Sequence, residues 1–116
     1  MSAQLEQLLN QQLPLPGVAA WAVRMPDAAV GQETFGDWFS ADQVAQVLAR
    51  LTQAVEILNR HQFEPTQLSW IFEHARLHLA VRADGASLML IVENRQDVPQ
   101  TEIGQLLDSF LTLPEL

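Results

Sequence analysis

The sequence predicts an α+β fold with elements in the order helix, two strands, long helix, three strands, helix. Three observations carry this. Ser40 opens a long segment with apolar residues at helical spacing. Ala83-Asp84-Gly85-Ala86 sits between two apolar runs, as a hairpin turn does. The run Leu88 to Val92 is continuously apolar and short, as a central strand buried on both faces is.

Residues 3–12 (AQLEQLLNQQ) read as a short helix with Leu5, Leu8 and Leu9 on one face. Leu13-Pro14-Leu15-Pro16-Gly17 stops it, because proline removes a backbone donor and fixes φ. Val18 to Met25 (VAAWAVRM) is apolar and bounded by turn residues, which predicts a buried strand. Pro26-Asp27 turns the chain, and Ala29 to Phe35 returns as a weaker second strand.

Ser40 is a good N-cap, Gln43 stands in capping-box position and Asp42 lies in the first turn. Val44, Val47, Leu48, Leu51, Val55 and Leu58 then keep helical spacing through about residue 61. This helix carries more than one stripe. Ala45, Ala49 and Thr52 form a strip of small residues, and Ala54 and Ile57 widen the apolar surface on the other flank. Those five residues are the expected self-association surface, since small side chains admit another helix closely.

Leu68 to Phe72 and Leu77 to Arg82 are predicted strands; the second alternates Leu77, Leu79 and Val81 against His78 and Arg82. The stretch PTQLSWIFEHARLHL also admits a helical reading. Asp84-Gly85 is expected as a two-residue turn leading into the strand Ser87 to Glu93. Thr101 is the expected cap of a last helix bearing Ile103, Leu106, Leu107, Phe110 and Leu111.

Composition narrows the function. A chain of 116 residues fits one domain, 1–116. The net charge is −8, and all six basic residues are arginine, scattered among fourteen acids. A phosphate backbone requires a basic patch, so nucleic acid is not an expected partner, nor is an anionic membrane surface. The absence of cysteine removes disulfides and thiolate chemistry. No apolar run spans a bilayer and no signal peptide is visible, so a cytoplasmic location is expected.

No constellation of catalytic residues emerges, and the expectation is a non-enzyme without cofactor or metal. His74 and His78 would lie about 13 Å apart on one continuous strand, too far to share a metal. His61 suits the negative end of the long helix. Gly31 and Gly36 stand alone, with neither a P-loop nor a Gly-x-Gly-x-x-Gly pattern. Ser40, Ser69, Ser87 and Ser109 lack a nucleophile elbow, and the Glu33/Asp37 pair reads as solvated acidic surface. Trp21, Trp38 and Trp70 read as core or interface anchors. Trp38, beside Phe39 in a Gly/Asp-containing loop, is the expected partner contact.

This element order resembles the roadblock / dynein light-chain family. The opening strand Gly17-Val18-Ala19-Ala20-Trp21-Ala22-Val23 after a leucine helix, and the hairpin LHLAVRADGASLMLIVE before a short last helix, carry the resemblance over roughly residues 4–112. It implies a five-stranded antiparallel sheet sandwiched between one long helix and two terminal helices, a roadblock/profilin-like α-β-β-α-β-β-β-α domain. It also implies homodimers in which long helices and edge strands pair, acting as regulators or scaffolds for a small GTPase or a signalling complex. The alternative is an acidic secretion-chaperone-like protein that holds an extended segment of a partner.

Overall fold

The computed structural model describes residues 2–114 and 116. Helix α1 (Ala3–Gln12) is followed by strands β1 (Val18–Arg24) and β2 (Val30–Thr34) and the long helix α2 (Ala41–Arg60). Strands β3 (Gln67–Ile71), β4 (Ala75–Val81) and β5 (Ser87–Glu93) come next, and helix α3 (Gln100–Thr112) closes the fold. The strands form one antiparallel sheet in the order β2-β1-β5-β4-β3, with α2 on one face and α1 and α3 on the other. This is the predicted sandwich. The segment that admitted a helical reading is a strand pair: Phe72 N–H donates to Ala75 O and closes the turn at Glu73-His74.

Alternation along the strands divides the core in two. On the face of the terminal helices, Val23, Leu88, Leu90 and Val92 meet Leu5 and Leu9 of α1 and Ile103, Leu106 and Phe110 of α3. On the opposite face, Ala20, Ala22, Leu79, Met89 and Ile91 meet Val44, Leu48, Leu51 and Val55 of α2. β1 and β5 are central and buried along nearly their whole length, as their apolar runs predict.

Local signals fix several boundaries. The capping box at Ser40 forms in full: Gln43 N–H donates to Ser40 Oγ and Ser40 N–H to Gln43 Oε1. The β4–β5 connection is one residue longer than the two-residue turn expected. Arg82 N–H donates to Ala86 O and Gly85 N–H to Arg82 O, so Ala83, Asp84 and Gly85 form the loop. Gly85, at φ +91°, takes the left-handed position that ends a three-residue hairpin loop. The last helix also differs. Pro99 is its N-cap residue, and Thr101 lies inside the first turn without a capping bond. Proline fits an N-terminal position because no donor is needed there, and that decides the start.

α3 has no basic residue in its last turn. The charge arrives from elsewhere: Arg82, at the head of the hairpin, donates to Phe110 O at 2.6 Å and to Pro114 O at 3.0 Å. Its guanidinium lies 5.6 Å from the Phe110 ring centroid and pairs with Asp84 at 3.1 Å. A cation on the unsatisfied carbonyls complements the helix dipole, and this one locks α3 to the hairpin.

Candidate protein interface

The geometry of α2 on its sheet creates the most distinctive surface. Beneath it β1 offers Ala20 and Ala22, both fully buried, so the helix settles close to β1 and β2. Gln32 Nε2 ties β2 to the start of α2 by donating to Ala41 O. A helix drawn to that side leaves the other side of the sheet face thinly covered. Leu68, Trp70 and Leu77, on β3 and β4, are only half-buried under α2. Between Leu77 and the helix runs a groove of about 460 Å³, lined by the apolar Phe39, Val47, Leu51 and Leu77 together with Gln43, Gln46 and Arg50.

Beside this groove lies the free edge of β3. Val81 N–H donates to Thr66 O and Phe72 N–H to Ala75 O. Antiparallel pairing alternates, so Leu68 and Trp70 direct their backbone groups to β4. Gln67, Ser69 and Ile71 therefore hold theirs outward, unpaired by the sheet. Ile71 is 67% exposed and Phe72 54% exposed. Such an edge is a template for another strand.

The five residues expected at a self-association surface do not form one patch. Ala45 and Ala49 are exposed and Thr52 is half-buried, on the flank toward β1. Thr52 Oγ1 donates to Leu48 O, a satisfied bond along its own helix. Ala54, half-buried, and Ile57, exposed, continue the opposite flank two turns beyond Val47 and Arg50. At about 100° per residue, Ala45 and Ala54 lie roughly 180° apart around the axis. Only Ala54 and Ile57 share the flank of the groove. Phe39 lines that groove, whereas Trp38, 46% exposed, turns toward Gly17, Phe35 and Glu93 at the same end of the sheet. The two rings stack at a tilt, 5.3 Å between centroids.

The groove and the β3 edge were not singled out in the sequence, although Trp70 and Leu68 alternating with Gln67 and Ser69 is the pattern of a half-covered strand. The remaining candidates disperse. Trp21 is buried in the core and Trp70 lies in the half-covered sheet. His61 is the C-cap residue of α2. His74 occupies the β3–β4 turn while His78 lies within β4, which separates them.

His78 has a distinct environment. Its Nδ1 is 3.0 Å from Ser69 Oγ, and its Nε2 is buried without a partner among the described residues. Burial pushes its pKa below the ordinary 6.5, and the nearby Arg76 charge adds to this. The unfolded chain takes up the proton near pH 6.5 and the folded chain only at lower pH, so acid favours unfolding in that window. The thermal midpoint should be level above pH 6.5 and fall as pH drops below it, before carboxylates with pKa values of about 4 take part. His78→Leu should flatten this first drop; an unchanged profile in differential scanning calorimetry would assign it to other groups.

No protein-family model matches the chain, and no curated protein matches it in sequence. Solved structures do match its shape. A Roadblock/LC7 domain from Streptomyces avermitilis superimposes with a TM-score of 0.60 at 15% identity, over 89% of this chain and 91% of that one. MglB from Myxococcus xanthus gives 0.65 at 10% identity, over 94% and 93%. An MglB described as having a tetrameric arrangement gives 0.67 at 14%, over 97% and 88%. With TM-scores of 0.60 to 0.67 over nearly the full length of each chain, the protein has the fold of a Roadblock/LC7 domain.

Proposed function

We propose that the protein is a non-enzymatic, homodimeric regulatory or scaffolding module of the cytoplasm. The half-open groove beside the unpaired β3 edge carries this reading. A second copy placed edge to edge would continue the sheet through Gln67, Ser69 and Ile71. Its long helix would then lie over Leu68, Trp70 and Leu77 and against the flank of Val47, Ala54 and Ile57. Both incomplete features are thereby completed by one symmetric contact, in which the same patch serves both copies. The tetrameric arrangement of a similarly folded MglB supports self-association.

Within this reading the partner is a protein, and a small GTPase is the class that the roadblock resemblance implies. Trp38 is the proposed anchor for it, a large exposed ring on a loop at the end of the sheet away from the hairpin. Light scattering during size exclusion at micromolar concentration should give twice the chain mass; a strict monomer would end the dimer proposal. Affinity capture followed by mass spectrometry separates the two functional classes. A specific GTPase supports the regulator, and a secreted effector protein supports the chaperone alternative.

A further inference from the structure

The sheet has a second free edge, at β2, and the small-residue strip of α2 runs beside it. Phe35 N–H donates to Ala19 O and Met25 N–H to Ala29 O, so the odd-numbered residues of β2 direct their backbone groups to β1. Val30, Gln32 and Thr34 therefore hold theirs outward, and these groups have no hydrogen-bond partner among the described residues. Sheet edges are commonly blunted by lysine, proline or a bulge. β2 contains neither residue, and its register with β1 runs without a shift. Val30 is 53% exposed.

The helix gives this edge a shelf. Gln32 Nε2 donates to Ala41 O, which fixes the start of α2 beside the middle of β2. Further along, Thr52 and Glu56 meet Arg24, whose strand partner is Val30. The flank of α2 between these points therefore follows the strand, and it presents Ala45 and Ala49, both exposed. A flank of methyl groups leaves room beside the edge for the side chains of an added strand.

The charge along the edge decides the occupant. From Met25 to Ala49 the chain carries Asp27, Glu33, Asp37 and Asp42, and no arginine, lysine or histidine. All four acids are exposed, and none forms an ion pair among the described residues. Glu33 shares the face of Trp21, on the side of the terminal helices, while Asp42 lies in the first turn of α2 on the other side. Asp27 and Asp37 lie beyond the two ends of the strand. Arg24, across from Val30, is half-buried. A second copy fits this edge poorly. Antiparallel pairing of two β2 strands about Gln32 would set Asp27 of each copy against Asp37 of the other, and like charges in such positions destabilise. An extended segment rich in lysine or arginine meets complementary charge instead. We propose that the β2 edge takes up a basic segment of a partner protein as an added strand. Its basic side chains lie toward Glu33 and the alternate ones rest on the Ala45–Ala49 shelf. The site is on the edge opposite β3 and does not depend on pairing of two copies.

Titration of the full chain with the peptide acetyl-Lys-Val-Lys-Val-Lys-Val-Lys-amide, followed by amide chemical shifts in nuclear magnetic resonance, tests this. Saturable shifts should centre on residues 30–34 and 41–49. The same peptide with glutamate for every lysine should bind at least about tenfold more weakly. So should the lysine peptide N-methylated at its three central residues, which keeps the charge but cannot pair as a strand. Glu33→Lys should weaken the lysine peptide at least about tenfold by charge, and Ala45→Arg should do so by filling the shelf as well. Thr34→Pro removes an outward N–H while leaving the inward bonds of Glu33 and Phe35 in place, and should have the same effect. All three variants should keep their far-ultraviolet circular dichroism. The proposal is overturned if the lysine peptide gives no saturable shifts with the unsubstituted chain, or if the shifts centre on β3. It is equally overturned if the glutamate or the N-methylated peptide binds as well as the lysine peptide.

Discussion

Phe110→Ala should lower the thermal midpoint by roughly 12–20 °C at fixed protein concentration. Phe110 is fully buried, and its ring fills the space between α3 and the sheet. Truncating a buried phenylalanine removes its transfer free energy and leaves a cavity, together about 3–5 kcal/mol. A domain of this size loses about 4 °C per kcal/mol, and its whole stability is about 5–15 kcal/mol. The loss is compounded by Arg82, whose guanidinium would face a void where the ring had been. Arg82→Met should also destabilise, because Phe110 O and Pro114 O lose the guanidinium that donates to them and Asp84 loses its ion-pair partner. The two sites share a contact, so the double variant should be less destabilised than the sum of the two single losses. A midpoint shift below about 4 °C for Phe110→Ala would mean that α3 contributes little to folding.

That latch shows where the sequence is readable and where it is not. The first helix, the capping box at Ser40 and the strand Ser87–Glu93 were legible because each is decided by neighbours within a few positions. The last helix was legible in its apolar face, but its start lay at Pro99 rather than Thr101, and its far end is capped by Arg82. That cap comes from 28 residues upstream of Phe110, and no local pattern announces it. The β3–β4 pair was ambiguous for a related reason: PTQLSWIFEHARLHL has apolar residues compatible with both periods. Tertiary pairing with β5 decides it. The groove is less local still. It depends on Ala20 and Ala22 letting α2 sink toward β1, so the opening beside Trp70 is caused by small residues three strands away. The sequence marked Ala54 and Ile57 as apolar surface, yet could not show that Ala45 faces the other way.

Ile57→Arg should convert the dimer to monomer at concentrations where the unsubstituted chain is paired. Ile57 is 53% exposed on the groove flank of α2, so the change costs little within one copy. In the proposed pairing it places a charge between two helices. Central interface side chains are worth about 2 kcal/mol or more, which corresponds to a dissociation constant raised at least about 30-fold. Ile71→Pro reaches the same end by another route. It removes an outward N–H of β3 while leaving the inward bonds of Leu68 and Trp70 to β4 in place. Both variants should keep their far-ultraviolet circular dichroism. Ala45→Arg, on the opposite flank, should leave pairing intact. A dimer that survives both Ile57→Arg and Ile71→Pro refutes the groove-and-edge contact. One broken by Ala45→Arg alone moves the interface to the small-residue strip over β1, where the second copy would meet helix without reaching the β3 edge. Because the three substitutions sit on different sides of one helix and one strand, sedimentation of each reports the geometry of pairing as well as its existence.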